Sequence, residues 1–431
     1  MVRRCRVLQE TADREEITER VAALDIGKAE LMCCVRVPDE GRPGRWLQEV
    51  QAYSTMTRSL PRLADRLACL GVTRVVMEAT SGYWRSAFYV LEAHGFETWL
   101  VNARDVRHLP GWPKTGKLDC IWLCKVAERQ MIRPSFVPPP QIRRLRDVTR
   151  YRADLAGARG AEKNRAEKLL EDACVKLSVV ASDIFGVSGR AMMDALIAGE
   201  RSPKALAQLA RTRMRGKISA LEEAFTGHFT DHHAFLPEKM LTRIDSIDAD
   251  IAALDQRIEG MIAPFAAAVA RLDEIPGIGP VAAAVIIAEI GTDMSRFPTP
   301  GHLASWAKFA PGISESAGKK KKKKGRNTTG YGNPYLARVL GEAAIGAART
   351  DSFPGERYRR IARRRGKGKA IVAAGRSILV IVWHLLADPE ARYADLGPGF
   401  YDSRVSKSRK MHSHVRQLEA LGYKVTLETA A

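Results

Sequence analysis

The hydrophobic period of this chain changes once, near residue 140, and that switch limits the folds open to it. Before it, short apolar runs of strand length alternate with segments of helical spacing, and after it helical spacing dominates. Arg20–Val37 reads as a strand, a tight turn at Gly27 and a second strand. Thr73–Met77 reads as a short buried strand ending at Glu78, and Glu97–Asn102 as another. Helices are predicted over Ser59–Leu70, where Leu60, Leu63, Leu67 and Leu70 share a face, and over Tyr83–His94. Strands alternating with helices specify an α/β domain, placed here at 18–138.

The remainder reads as α: a helical arm over 139–266, a mainly helical domain over 267–395 and a tail over 396–431. Ile142–Val180 is predicted helical and carries Arg143, Arg144, Arg146, Arg150 and Arg152 within three turns. Such a run fits either a solvated face or a phosphate-facing one. Ile244, Ile251 and Ile258 repeat every seven residues, as do Ile247, Leu254 and Met261, which predicts a coiled-coil seam within the chain or with a second protomer. Pro264 ends that arm. A compact helical segment, Ala267–Phe309, then a Gly/Lys loop, Gly312–Gly332, lead to helices over Pro334–Arg349 and Lys369–Leu386, with a last helix over His414–Leu421.

The charge narrows the function classes. With 69 Lys and Arg against 49 Asp and Glu the formal net charge is +20, an excess that attracts polyanions and points to nucleic acid. The basic residues cluster in Lys319–Lys324 and in Arg357–Lys369. The first residues hold no apolar core of a secretory signal, and the longest apolar stretch, Ile371–Ala387, contains Arg376 and His384, as a buried core helix would. No membrane association is expected. Seven scattered cysteines suit a reducing cytoplasm, and Cys120 and Cys124 lack the partners of a zinc site.

Three carboxylates stand where chemistry could use them. Asp25 ends the first strand, Glu78 ends the strand at 73–77, and Asp119 opens a predicted helix. Each alone fits a turn, a cap or a helix-dipole partner. Together, in one α/β domain of a strongly basic chain, they suit Mg²⁺, a hard cation that takes few protein oxygens and can act on a phosphodiester. Pro276-Gly277-Ile278-Gly279, followed by an Ala/Val helix, matches a helix-hairpin-helix turn whose glycines let backbone N–H groups approach phosphate. Ser316, beside Gly318 and the lysine run, is either a linker residue or a nucleophile with cations at hand.

Several collinear stretches together resemble the transposases of the insertion-sequence one-ten family. They are ALDIGK at 23–28, VVMEATSGYW at 75–84, PKTGKLDCIWLCKVAER at 113–129, IPGIGPVAAAVIIAEIG at 275–291, SWAKFAPGISESAGK at 305–319 and GNPYLARVLGEAA at 332–344. The resemblance implies a RuvC-like domain of RNase H type binding Mg²⁺ through a DEDD set, a coiled-coil arm, and a C-terminal transposase domain with a catalytic serine. It implies a homodimer or homotetramer acting on donor and target DNA, guided by a structured bridge RNA. By that resemblance Asp25, Glu78 and Asp119 are the first, second and last acids, and Ser316 is the nucleophile, with Ser314 the alternative. Lys319, Lys320, Lys321, Arg359, Arg360, Arg363, Arg364 and Arg365 are the expected backbone contacts, with Gly277 and Gly279. The third acid of the pattern is Gly116 here, which removes one oxygen ligand. That leaves three readings: a recombinase working with three acids, a RuvC-like junction nuclease using water, and a decayed transposase that only binds nucleic acid.

Overall fold

The computed structural model describes residues 18–42, 44–79, 81–102, 106, 116–310, 315–316, 319–320, 330, 332–403 and 407–427, and divides into two units, Met1–Val137 and Pro138–Ala431. The first unit holds β1 (Val21–Ile26), β2 (Glu30–Pro38), β3 (Trp46–Ser54), α1 (Leu60–Cys69), β4 (Arg74–Glu78), α2 (Trp84–Ala93), β5 (Glu97–Val101) and α3 (Gly116–Glu128). Five strands form one mixed sheet in the order β3-β2-β1-β4-β5. The β1–β2 and β2–β3 pairs are antiparallel, while β1–β4 and β4–β5 are parallel. Parallel pairing requires crossovers, and α1 and α2 supply them.

Side-chain alternation divides the sheet's two faces cleanly. Ala22, Leu24 and Ile26 of β1 pack with Val75 and Met77 of β4 against Leu63 and Leu67 of α1 and Phe88 and Leu91 of α2. Val21 and Ala23 pack with Cys34 and Val76 against Cys120, Leu123, Cys124 and Ala127 of α3. The helix is fixed at both ends. The Cys120 thiol donates to the carbonyls of Ala23 at 3.1 Å and Met32 at 3.3 Å, and Arg36 pairs with the buried Glu128 at 2.9 Å. The edge strand β3 has no counterpart in the sequence reading. Its residues, WLQEVQAYS, are exposed or half-buried throughout, so the alternation that marks a strand is weak.

The second unit contains α4 (Pro140–Asp172), α5 (Leu177–Val180), α6 (Val187–Ile197), α7 (Pro203–Gln208), a 3-10 turn (Thr212–Lys217), α8 (Ile218–Ala224) and α9 (Asp231–Ile262). These are followed by α10 (Ala266–Asp273), α11 (Pro280–Ile290), α12 (Pro300–Trp306), the two-residue strands β6 (Glu315–Ser316) and β7 (Lys319–Lys320), α13 (Pro334–Ala347), α14 (Phe353–Arg365), α15 (Lys367–Ala387), α16 (Phe400–Ser403) and α17 (Lys407–Ala420). The helix expected over Ile142–Val180 ends at Asp172, where Ala173 and Cys174 turn the chain.

Helices α4 and α9 lie antiparallel within the chain: Arg152 pairs with Asp255, Arg159 with Asp248 and Arg243 with the buried Glu162. Of the heptad residues, Ile244, Ile247, Ile251 and Ile258 are buried. Between the two helices in the chain, α5–α8 build a core around Leu177, Met192, Met193, Leu206 and Leu221, closed by Leu170 of α4 and Leu241 and Ile244 of α9.

The apolar stretch at Ile371–Ala387 lies in α15, a helix long and apolar enough to cross a membrane by length and composition, whose Ala370, Ala374, Ile378, Leu379 and Val382 are fully buried in the unit. The basic run 357–369 forms most of α14 rather than a bare connection. Past α12 and the buried Phe309, the chain comes back beside Ala307 at Gly332, where an added Cβ would stand 2.5 Å from the Ala307 carbonyl. The two ends of that intervening segment therefore meet.

Candidate functional site

The sheet register brings two of the three candidate carboxylates to one level. Parallel pairing runs from Val21 opposite Arg74 to Leu24 opposite Met77, and its next step sets Asp25 beside Glu78. The alternation that sends Val21, Ala23 and Val76 toward α3 sends both acids to that same face. Asp119, in the first turn of α3, precedes Cys120, which is bonded to the backbone of β1 and β2. All three acids are half-buried.

The Asp25 carboxyl is held above the usual Asp value, first by burial and then by the negative charge of Asp119. Two carboxylates repelling each other in a half-buried setting gain from a cation between them, and oxygen-only donors suit a hard divalent ion that completes its shell with water. Among the described residues no group of three His, Cys, Asp or Glu side chains closes on a common metal position. The pair therefore fits a divalent ion as an open set, with Glu78 level on the adjacent strand. Gly116, standing where the family pattern has its third acid, opens α3. Ser314 lies outside the described residues.

Ser316 lies in β6, opposite Lys319 of β7, with Glu315 opposite Lys320. The bridge places a serine and a lysine as cross-strand neighbours in the backbone register. Lys321 lies outside the described residues.

Much of the arginine that marked the chain as basic is engaged within it. Arg146 donates to the carbonyls of Ala288 and Glu289 at 2.9 and 2.7 Å, Arg150 grips the Glu289 carboxylate in two bonds at 2.7 and 2.8 Å, and Arg152 holds Asp255. Glu289 is fully buried and accepts a third bond from Asn333 at 2.5 Å, while the Asn333 side chain caps α13. In α14, Arg359 donates to the Ala348 and Thr350 carbonyls, Arg360 lies over the Tyr401 ring at 4.2 Å, and Arg363 pairs with Glu356. Arg364 and Arg365 are exposed. The partners of these arginines lie up to 143 residues away, so local spacing could not reveal them.

The two glycines of the turn between α10 and α11 differ in their surroundings. Gly277 has φ +90°, and a Cβ there would meet the Ala343 carbonyl at 2.2 Å and the Ala347 nitrogen at 2.8 Å, so close packing against α13 demands glycine. Gly279, the residue before α11, has open space around it. Gly277→Ala is expected to lower stability by about 2 kcal/mol or more, through strain at positive φ and displacement of α13. Thermal unfolding checks this, and Gly279→Ala serves as the comparison that changes little.

The DEDD transposase model of IS110 elements, described as "Transposase", matches residues 22–175, and the model described as "Transposase IS116/IS110/IS902 family" matches residues 269–359. A protein of Streptomyces clavuligerus, "Insertion element IS116 uncharacterized 44.8 kDa protein", is 26% identical, with 81% of this chain and 94% of that protein covered.

Proposed function

The chain belongs to the IS116/IS110/IS902 family of insertion-sequence transposases, and from that premise we propose a recombinase that cleaves and rejoins DNA strands through Ser316 with Mg²⁺. The observation that carries the reading is the repulsive Asp25–Asp119 pair on the α3 face, with Glu78 level on the next strand. The order β3-β2-β1-β4-β5 supports an RNase H-type, RuvC-like sheet for these acids. The antiparallel α4–α9 pair is the counterpart of the coiled-coil arm, and the α10–α11 turn that of the helix-hairpin-helix element.

Asp25, Glu78 and Asp119 would hold the ion, which when bound lowers the cost of charge developing on the phosphate oxygens. The Ser316 oxygen attacks phosphorus. One bond forms between serine and phosphate as the serine hydroxyl gives its proton to solvent, the bond to the departing strand's oxygen breaks, and that oxygen takes up a proton from solvent. The phosphoserine ester conserves the bond, so the hydroxyl of an exchanged strand can reverse the step. Lys319–Lys321, Arg364 and Arg365 are the cations offered to the phosphate backbone, together with the backbone N–H groups at Gly279. Gly277, Arg359, Arg360 and Arg363 combine any such contact with the internal roles described above. A structured guide RNA supplies the base pairing that selects donor and target, and the working species is a cytoplasmic homodimer or homotetramer.

Ser316→Ala is expected to abolish both strand exchange and the covalent protein–DNA species on a denaturing gel, while duplex binding stays within about twofold. An adduct surviving in Ser316→Ala but lost in Ser314→Ala moves the nucleophile to Ser314. Cleavage by the wild type without any adduct favours a junction nuclease that uses water. If activity arises only in Gly116→Asp, the chain is a decayed transposase.

A further inference from the structure

Residues 176–268 lie between the two family matches, so neither assigns the small helical module of α5–α8 a role. Its cations are unevenly placed. Arg201, Lys204, Arg211, Arg213, Arg215 and Lys217 are all exposed, and no Asp or Glu occurs between Arg201 and Leu221. Arg201 is partly engaged with the Leu196 carbonyl and Asp231, and Lys217 donates to the Val180 carbonyl at 2.7 Å. Among the described residues Lys204, Arg211, Arg213 and Arg215 have no acidic partner.

The rest of this region treats its arginines differently: Arg190 pairs with Asp194 and Asp245, Arg159 with Asp248 and Arg243 with Glu162. Three unneutralised guanidinium groups within five residues repel one another, a cost that a polyanion removes. The turn that carries them is also strained. Thr212 has φ +47°, a region that β-branched residues avoid and that recurs where function fixes the backbone. Met214 anchors the turn to the module's core, leaving the arginines to point elsewhere.

The rings of this module, Phe185, Phe225 and Phe229, pack in or against its core, and the exposed ring on the adjoining α9, Phe235, is covered on one face by Lys239 at 5.4 Å, so neither offers an open stacking platform for unpaired bases. A duplex backbone fits this surface better than a single strand. We propose that the Arg211–Lys217 turn docks the phosphate backbone of duplex DNA, a second contact on the helical arm apart from the Ser316 loop. The proposal rests on the transposase reading for its choice of DNA, and it is independent of which residue is the nucleophile.

The test uses the full chain with Arg211, Arg213 and Arg215 replaced together by Gln, and in a second variant by Lys. Binding to a duplex DNA of arbitrary sequence is measured as salt rises from about 50 to 200 mM, a fourfold range over which each lost phosphate contact removes roughly 0.9 from the salt slope. Three lost contacts make the Gln variant's decline over that range roughly 40-fold smaller than the wild type's. The Lys variant is expected to restore the slope, and unchanged melting of both variants shows that the module stays folded. A Gln variant with the wild-type slope overturns the proposal, as does an effect seen with structured RNA and absent with duplex DNA. Loss of strand exchange in Ser316→Ala leaves this binding unchanged, so the two readings fail separately.

Discussion

Asp25→Asn is expected to reduce Mg²⁺-dependent strand cleavage by about a thousandfold or more, while making the metal-free protein more stable at neutral pH. The two effects share one cause. Burial and Asp119 raise the Asp25 pKa in the folded chain. A carboxyl whose folded pKa is raised contributes its stability below the unfolded value, near pH 4, and loses it as pH rises through the folded value. At neutral pH the ionised Asp25 therefore opposes folding, and Asn, with a similar shape and no charge, relieves it. In the presence of a chelator the variant should melt above the wild type at pH 7, and the gap should close on acidification. Added Mg²⁺ should raise the melting temperature of the wild type and leave the variant unmoved. A variant that melts below the wild type at pH 7 would remove the charge pair from the account, and one that keeps full cleavage would remove the metal role.

Glu289→Ala is expected to cost about 3–5 kcal/mol, the range for removing one partner of a buried charge cluster. It leaves the Arg146 and Arg150 guanidinium groups facing a cavity and takes the Asn333 amide's acceptor away. Denaturant unfolding measures the loss. Because Asn333 caps α13 directly after the segment that carries Ser316, strand exchange should fall further than the unfolded fraction explains. A loss under about 1 kcal/mol would mean that the cluster is not a structural tie.

The α/β domain was legible because its strands are buried and short and end on unusual residues: β1 at Asp25-Ile26, β4 at Glu78. The placement of Asp25 and Glu78 at the ends of strands and of Asp119 at the start of a helix was legible. Its geometry was not, because the level of Asp25 with Glu78 depends on a β1–β4 register that the sequence does not display. The arginines of α4 were ambiguous for a similar reason. Their charge is visible at 143–152, but Glu289 and Asp255, which pair with Arg146, Arg150 and Arg152, arrive from α11 and α9. Gly277 suggested a phosphate-binding turn, whereas the demand for glycine there comes from the backbone of α13, over sixty residues on. The edge strand β3 carries little strand signal in the sequence because water covers much of it.

The meeting of Ala307 and Gly332 has a consequence for how such a chain can vary. A segment that exits and re-enters the core at one point is a closed ring as far as the rest of the unit is concerned. Lengthening it adds only about 0.6 kcal/mol for each doubling. A change in the number of lysines there is therefore expected to cost the fold little.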